Sequence, residues 1–174
     1  RPNLSDLGVD IVYTLDRPDG STVSVGAGSV VDFRGEAIVN AANEGGIGGG
    51  GVDGAINHAG GEALVRARFA LPQVDEDEPK RIPTGEARMT IGGNIPAMII
   101  HAVGPIYFCE EEEYASLDAK LRSAYASSFD LARQSNLRRV GCSLISSGIF
   151  SGSRDITEIL DVAWNTAVEC GSGL

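Results

Sequence analysis

Residues 37–59 read AIVNAANEGGIGGGGVDGAINHA, and the fold turns on how this stretch is read. It opens with a short apolar run, Ala37-Ile38-Val39, of a length that suits a buried strand. Asn40 and Asn43 follow, and then glycine fills six of the seven positions from 45 to 51. A helix is predicted just after, because Val52, Ile56 and Ala59 share one face at i, i+4 and i+7. Strand, glycine loop and helix N-terminus together aim backbone N–H groups at phosphate. Asp53 falls in the first turn of that helix. A carboxylate there is favoured by the helix dipole and can also serve as a base.

Two plainer readings compete. Gly46-Ile47-Gly48-Gly49-Gly50-Gly51 fits the G-x-G-x-x-G spacing of dinucleotide-binding loops, but a glycine run fits almost any glycine pattern. Such a loop should follow its strand directly, and residues 40–44 intervene. No Gly-Lys-Ser/Thr follows the glycines, so a P-loop is out. A merely flexible connection would use the glycines as punctuation, but it has no need of two asparagines and an aspartate.

Val39-Asn40-Ala41-Ala42-Asn43, followed by Gly48-Gly49-Gly50-Gly51-Val52-Asp53-Gly54-Ala55-Ile56, resembles the signature of the macrodomain family, closest to its MacroD-like branch. Thr84-Gly85-Glu86-Ala87, Ile100-His101-Ala102-Val103-Gly104-Pro105 and Ser146-Ser147-Gly148-Ile149-Phe150 agree and come in the family's order. The resemblance implies a three-layer α/β/α sandwich around a central mixed sheet, in one domain spanning residues 1–174. It implies binding of ADP-ribose and, in this branch, its hydrolysis from acidic side chains of mono-ADP-ribosylated proteins or the deacetylation of O-acetyl-ADP-ribose. A non-catalytic reader of ADP-ribose is the alternative. No cofactor or metal is implied. Members of the family usually carry a further strand and helix after the point where this sequence stops. Truncation, a shorter sheet or a swapped partner would each account for that.

The 174 residues suit one domain with a sizeable core. Hydrophobic residues make up 43% and charged residues 22%, as in ordinary soluble domains. Acidic residues number 24 against 14 basic, a net charge of −10, which disfavours nucleic-acid and anionic-membrane binding. An anionic ligand must then be held by local N–H donors rather than by the overall field. Cys109, Cys142 and Cys170 are odd in number and widely spaced, without a zinc pattern, which suits reduced thiols in an intracellular protein. No signal peptide or 18-residue apolar run occurs.

Along the chain, residues 11–15 and 22–25 are predicted to form an antiparallel hairpin across the Pro18-Asp19-Gly20 turn. The helix of the central stretch is expected to break at Gly60-Gly61 and resume through 62–69. Strands are predicted at 87–91, 98–103 and 140–146. His101, within the second of these, reads as a core histidine satisfied by a partner rather than as a base. The acidic run 75–78 reads as a solvated face, and the run 110–113 leads into a helix carried by Leu117, Leu121, Tyr125 and Phe129. A last helix, 155–168, is expected to bury Ile156, Ile159, Leu160 and Ala163, with Trp164 beside them.

The loop after 140–146 also follows a strand and precedes a helix, so the two loops are expected to flank one crevice at the strands' carboxyl ends. The resemblance assigns ligand contacts to Asn40, Gly50, Gly51, Val52, Ser146, Ser147, Gly148, Ile149 and Phe150, with Phe150 at the distal ribose. At the adenine end stand Ser29 and Val30; the family has an aspartate where Ser29 is, and Asp32 lies one turn on. Asn43 and Asp53 match the catalytic pair of active members, the amide binding ribose hydroxyls and the carboxylate positioning water. A histidine follows Gly-Ala-Ile in those members, whereas Asn57 stands here and His58 comes one place later.

Overall fold

The computed structural model describes residues 6–74, 77–108 and 114–174. Cys109, the run 110–113 and two members of the other acidic run, Asp75 and Glu76, lie outside them. Strands β1 (Asp10–Asp16) and β2 (Thr22–Ala27) pair antiparallel as a hairpin of their own. The Asp19 carboxylate closes its turn by accepting from the Ser21 amide and hydroxyl. The main sheet uses β3 (Ala37–Ala41), β4 (Ala87–Thr90), β5 (Met98–Ala102) and β6 (Val140–Cys142) in the order β4-β5-β3-β6. β4 runs antiparallel to β5, whereas β5, β3 and β6 are parallel, so the sheet is mixed.

Helices α1 (Gly51–Phe69), α2 (Tyr114–Gln134) and α3 (Ile156–Cys170) cover the two faces. The period-2 alternation of β3 decides which residue meets which layer. Ala37 and Val39 join Leu121, Tyr125, Phe129 and Ile159 on the α2–α3 side. Ile38 joins Ile56, Leu64 and Ile99 on the α1 side. All four residues of this second group are fully buried, which contributes about 1.5–3 kcal/mol apiece. Asn40 and His101 are Cα partners across β3 and β5, and they share the parity of Ile38 and Ile99. Two polar side chains are thereby delivered to the α1 face at the strands' carboxyl ends.

Three expectations are corrected. The strand predicted over 140–146 ends at Cys142. The Ser143 amide still donates to the Val39 carbonyl (3.1 Å), but its hydroxyl, which also donates to Val39 (2.7 Å), accepts from the Ala41 amide (3.1 Å) in place of a backbone carbonyl. Ile156 is 43% exposed, because it is the first residue of α3 and projects beyond the core. Trp164 is half-buried and packs on Tyr13 of the hairpin, ring centroids 5.6 Å apart, rather than in the central core.

A groove of about 640 Å³ separates the hairpin from β6 and the adjoining helices, lined by Val9, Ile11, Val23, Phe129, Val140 and Ala167 among others. No residue of 43–53 or 146–150 lines it, whereas Val30, expected at the adenine end, does. No helix among the described residues is long and apolar enough to cross a membrane.

Candidate functional site

Because β5, β3 and β6 are parallel, the loops that leave their carboxyl ends start side by side. The segment after β3 runs through the glycines into α1. The segment after β6 runs through Ser146 to a 3₁₀ turn, Ile149–Ser151. The segment after β5 joins them, since the Tyr107 amide donates to the Phe150 carbonyl at 2.8 Å. The expected crevice is therefore bounded by three loops rather than two.

The glycine loop is held from below. Arg68 Nε donates to the Gly46 carbonyl (2.7 Å), Asn57 Nδ2 to Ile47 (3.2 Å) and Asn43 Nδ2 to Gly48 (2.9 Å). Three successive carbonyls thus point toward side-chain donors. A trans peptide sets each C=O opposite the next residue's N–H, so the amides of Ile47, Gly48 and Gly49 face the other way. None of the N–H groups of residues 47–50 has an acceptor among the described residues. α1 begins at once, with Gly50 as an N-cap that offers no side-chain hydrogen bond. Uncapped donors and the positive end of a helix dipole coincide here.

A Cβ added at Gly50, Gly51 or Gly148 would meet no atom of a non-neighbouring residue within 4 Å. Gly51 still needs its glycine for a φ of +59°. Gly50 and Gly148 have no such need, and their bare surfaces face open space. Ile149 beside them is 82% exposed, and Phe150 is half-buried.

The predicted catalytic pair does come together. A Cβ built on Gly49 would stand 3.0 Å from Asp53 Oδ2 and 3.2 Å from Asn43 Nδ2, so both side chains converge beneath that glycine. The sequence does not reveal how deep Asp53 lies. It is 3% exposed; its Oδ1 accepts from Arg68 Nη1 and from Asn40 Nδ2, each at 2.6 Å, and its Oδ2 from Arg68 Nη2 at 3.3 Å. Asn40, expected at a ligand, is instead completely buried between Asp53 and His101. The physical reason is its parity on β3, which turns it under α1 rather than out of the crevice.

His101 is satisfied in the core, as the sequence suggests. Asn40 Nδ2 donates to its Nδ1 (3.0 Å), so the ring carries its proton on Nε2 and donates to Thr90 Oγ1 (2.9 Å). The Thr90 hydroxyl passes the direction on to the Ile91 carbonyl. Burial first, and then the nearby Arg68 cation, push the His101 pKa down to about 3, so the ring is neutral.

The other candidate residues divide by what their side chains already do. Ser146 Oγ donates to the Pro105 carbonyl and Ser147 Oγ to Leu144, so these hydroxyls shape the loop. Ser146 adopts φ +59°, a conformation that this bond helps to hold. Ser29 is exposed; its Oγ accepts from the Val31 amide (3.3 Å), which leaves its own hydrogen free. Val30 and Val52 pack together on the α1 core, setting the Ser29 turn against the start of the helix. Asp32 is exposed on that turn.

Arg68 is the residue the sequence reading missed. It lies four residues beyond Leu64, in step with Ile56 and Gly60, and so shares the buried stripe of α1. An arginine in such register is the signal that was available. Among the described residues, no group of three His, Cys, Asp or Glu side chains stands close enough to hold a metal ion.

Comparison with known proteins is consistent with this geometry. A family model described as "Macro domain" matches residues 39–160. A macro domain-containing protein of Cupriavidus necator is 43% identical over 137 residues, 78% of this chain and 75% of that protein. A mouse protein named ADP-ribose glycohydrolase MACROD1 is 39% identical over 142 residues, which cover 81% of this chain but only 41% of that protein. The solved Oceanobacillus iheyensis macrodomain with ADP superimposes with a TM-score of 0.79 at 31% identity, covering 90% of this chain and 79% of that one.

Proposed function

Because the chain belongs to the Macro domain family, we propose that it binds ADP-ribose in the crevice at the carboxyl ends of β5, β3 and β6. There it cleaves mono-ADP-ribose from acidic side chains of proteins or deacetylates O-acetyl-ADP-ribose. The observation that carries this reading is the run of unpartnered amides at 47–50, opening onto an uncapped helix N-terminus. A diphosphate needs several donors and no large side chains, and this loop supplies both. The loop at 146–150 closes over the second phosphate, and Phe150 stacks on the distal ribose. Ser29 and Val30 meet the adenine.

Asn43 Nδ2 has a second hydrogen beyond the one given to Gly48, and it binds a ribose hydroxyl. Asp53 Oδ2, the less tightly engaged oxygen, orients the attacking water next to that amide. General-base assistance of this kind is worth ~10²–10⁴-fold. A second reading, a non-catalytic reader of ADP-ribosylated proteins, is favoured by the depth at which Asp53 is held. Incubation with an auto-ADP-ribosylated acceptor separates the two. Release of free ADP-ribose supports the hydrolase, while retention of label with tight binding supports the reader.

Gly148→Glu is expected to abolish ADP-ribose binding while leaving the fold intact, because a Cβ at that position meets no atom of a non-neighbouring residue within 4 Å in the free protein. Calorimetry giving wild-type affinity for that variant would remove the loop at 146–150 from the site.

A further inference from the structure

The buried guanidinium of Arg68 makes more contacts than a structural ion pair requires. It is completely buried, and its donors reach four acceptors on three residues: Gly46 O, Asn57 Oδ1 at 2.8 Å, and both oxygens of Asp53. Gly46 starts the glycine loop, Asn57 holds its next carbonyl, and Asp53 lies beneath Gly49. Each of those three residues therefore belongs to the loop or touches it.

The planar fork matters for this arrangement. A guanidinium presents five donors in fixed directions, whereas an ammonium is a single mobile point. Only the fork can set Gly46, Asn57 and Asp53 at defined angles to one another at the same time. The break at Gly61 (φ 66°, ψ −164°) resets the helix axis ahead of Arg68. Arg68 consequently reports to the loop from the far end of the same helix that the loop begins.

We propose that Arg68 is the positioning residue of this crevice: it fixes the directions of the loop carbonyls, and so of the opposing amides that bind the diphosphate. It also fixes the orientation of Asp53, touching no ligand itself. The chemical class of ligand that senses it is an anionic diphosphate ester. Asn57 is its relay to Ile47, a task that suits an amide because one terminus accepts while the other donates. The proposal rests on the reading of the crevice as an ADP-ribose site, and its test is chosen to separate the two.

Backbone ¹⁵N order parameters of Ile47, Gly48 and Gly49 are measured in the free wild type, in Arg68→Lys and in Asn57→Ala. ADP-ribose affinity is measured by calorimetry at 25 °C on the folded proteins, with Tm recorded beside it. In the wild type the loop is expected near the rigid value of about 0.85, falling below about 0.6 in Arg68→Lys. Affinity is expected to fall about ten-fold or more in Arg68→Lys and about three-fold in Asn57→Ala, amounts of about 1.4 and 0.65 kcal/mol. A folded Arg68→Lys with a rigid loop and affinity within two-fold of wild type overturns the proposal, whatever its Tm. Should Arg68→Lys fail to fold, Asn57→Ala decides in the same way, since Asn57 is half-buried and carries no charge. A wild type that binds no ADP-ribose overturns the reading of the site instead, and the order parameters of the free proteins still judge Arg68.

Discussion

His101 is a residue whose protonation the fold resists, and that resistance has a measurable consequence. Its pKa is depressed to about 3 from an ordinary 6.5, so the unfolded chain takes up its proton first on acidification. The stability tied to the neutral ring is complete above about pH 6.5 and is lost progressively as pH falls from there toward 3. Between pH 8 and pH 5 the loss from this one group is expected to be about 2 kcal/mol. In His101→Gln the dependence on pH over that interval, read from urea midpoints, should be shallower by that amount. An unchanged slope would mean that the ring titrates normally. Ser29 is a second such residue, at the adenine end. Its hydroxyl forms neutral hydrogen bonds of ~0.5–1.5 kcal/mol, against ~1.5–3 kcal/mol for a charged acceptor. Ser29→Asp keeps a capping oxygen for Val31, and it is expected to tighten ADP-ribose by about five-fold while leaving ribose-5-phosphate alone. If ADP-ribose instead weakens in both Ser29→Asp and Asp32→Ala, Asp32 makes the adenine contact. At this scale the sequence shows which residues are candidates better than it shows where they point. Asp53 was a candidate from its place in the first turn of α1 and Asn43 from the family resemblance, yet the burial of Asp53 depends on Arg68, fifteen positions away. Asn40 was expected at the ligand, but its parity on β3 turns it under α1.

Among the elements, α1 carries the most information per residue. Its start was legible from Val52, Ile56 and Ala59, and its break from Gly60-Gly61, because glycine pairs have few uses inside a helix. The structure adds why the break is needed. The Asn94 amide donates to the Gly60 carbonyl at 2.9 Å, and a Cβ on Gly61 would stand 2.7 Å from Asn94 Nδ2. Gly61→Ala combines that clash with a positive φ, and it should lower stability by more than about 1 kcal/mol in urea denaturation. A neutral outcome would show that the two halves of the helix can straighten. β6 was the element read least well. Residues 140–146 look like one buried strand, but beyond Cys142 the Ala41 amide donates to the Ser143 hydroxyl instead of a backbone carbonyl, and the ladder ends after three residues. Side-chain mimicry of a backbone ladder leaves no periodic trace in a sequence. The hairpin strands and α2 were placed correctly because alternation and turn chemistry are local signals.

Over the whole molecule, the net charge of −10 opposes an anionic ligand, and the opposition is long-ranged. Salt screens it, with a Debye length of about 10 Å at 0.1 M, while the short contacts at residues 47–50 are screened much less. Affinity for ADP-ribose is therefore expected to rise between 15 and 150 mM salt, roughly where most charged-ligand sites lose it. A fall over that range would mean that a local cation outweighs the global field. The three carbonyls held beneath the glycine loop bear on how binding proceeds in time. Glycine is the residue with the most backbone freedom to lose, at a cost of about 1–2 kcal/mol per residue fixed. Here that freedom is already surrendered during folding, when Arg68, Asn57 and Asn43 close on the loop. Association should then proceed in a single bimolecular step, its observed rate climbing linearly with ligand and never levelling toward a unimolecular ceiling.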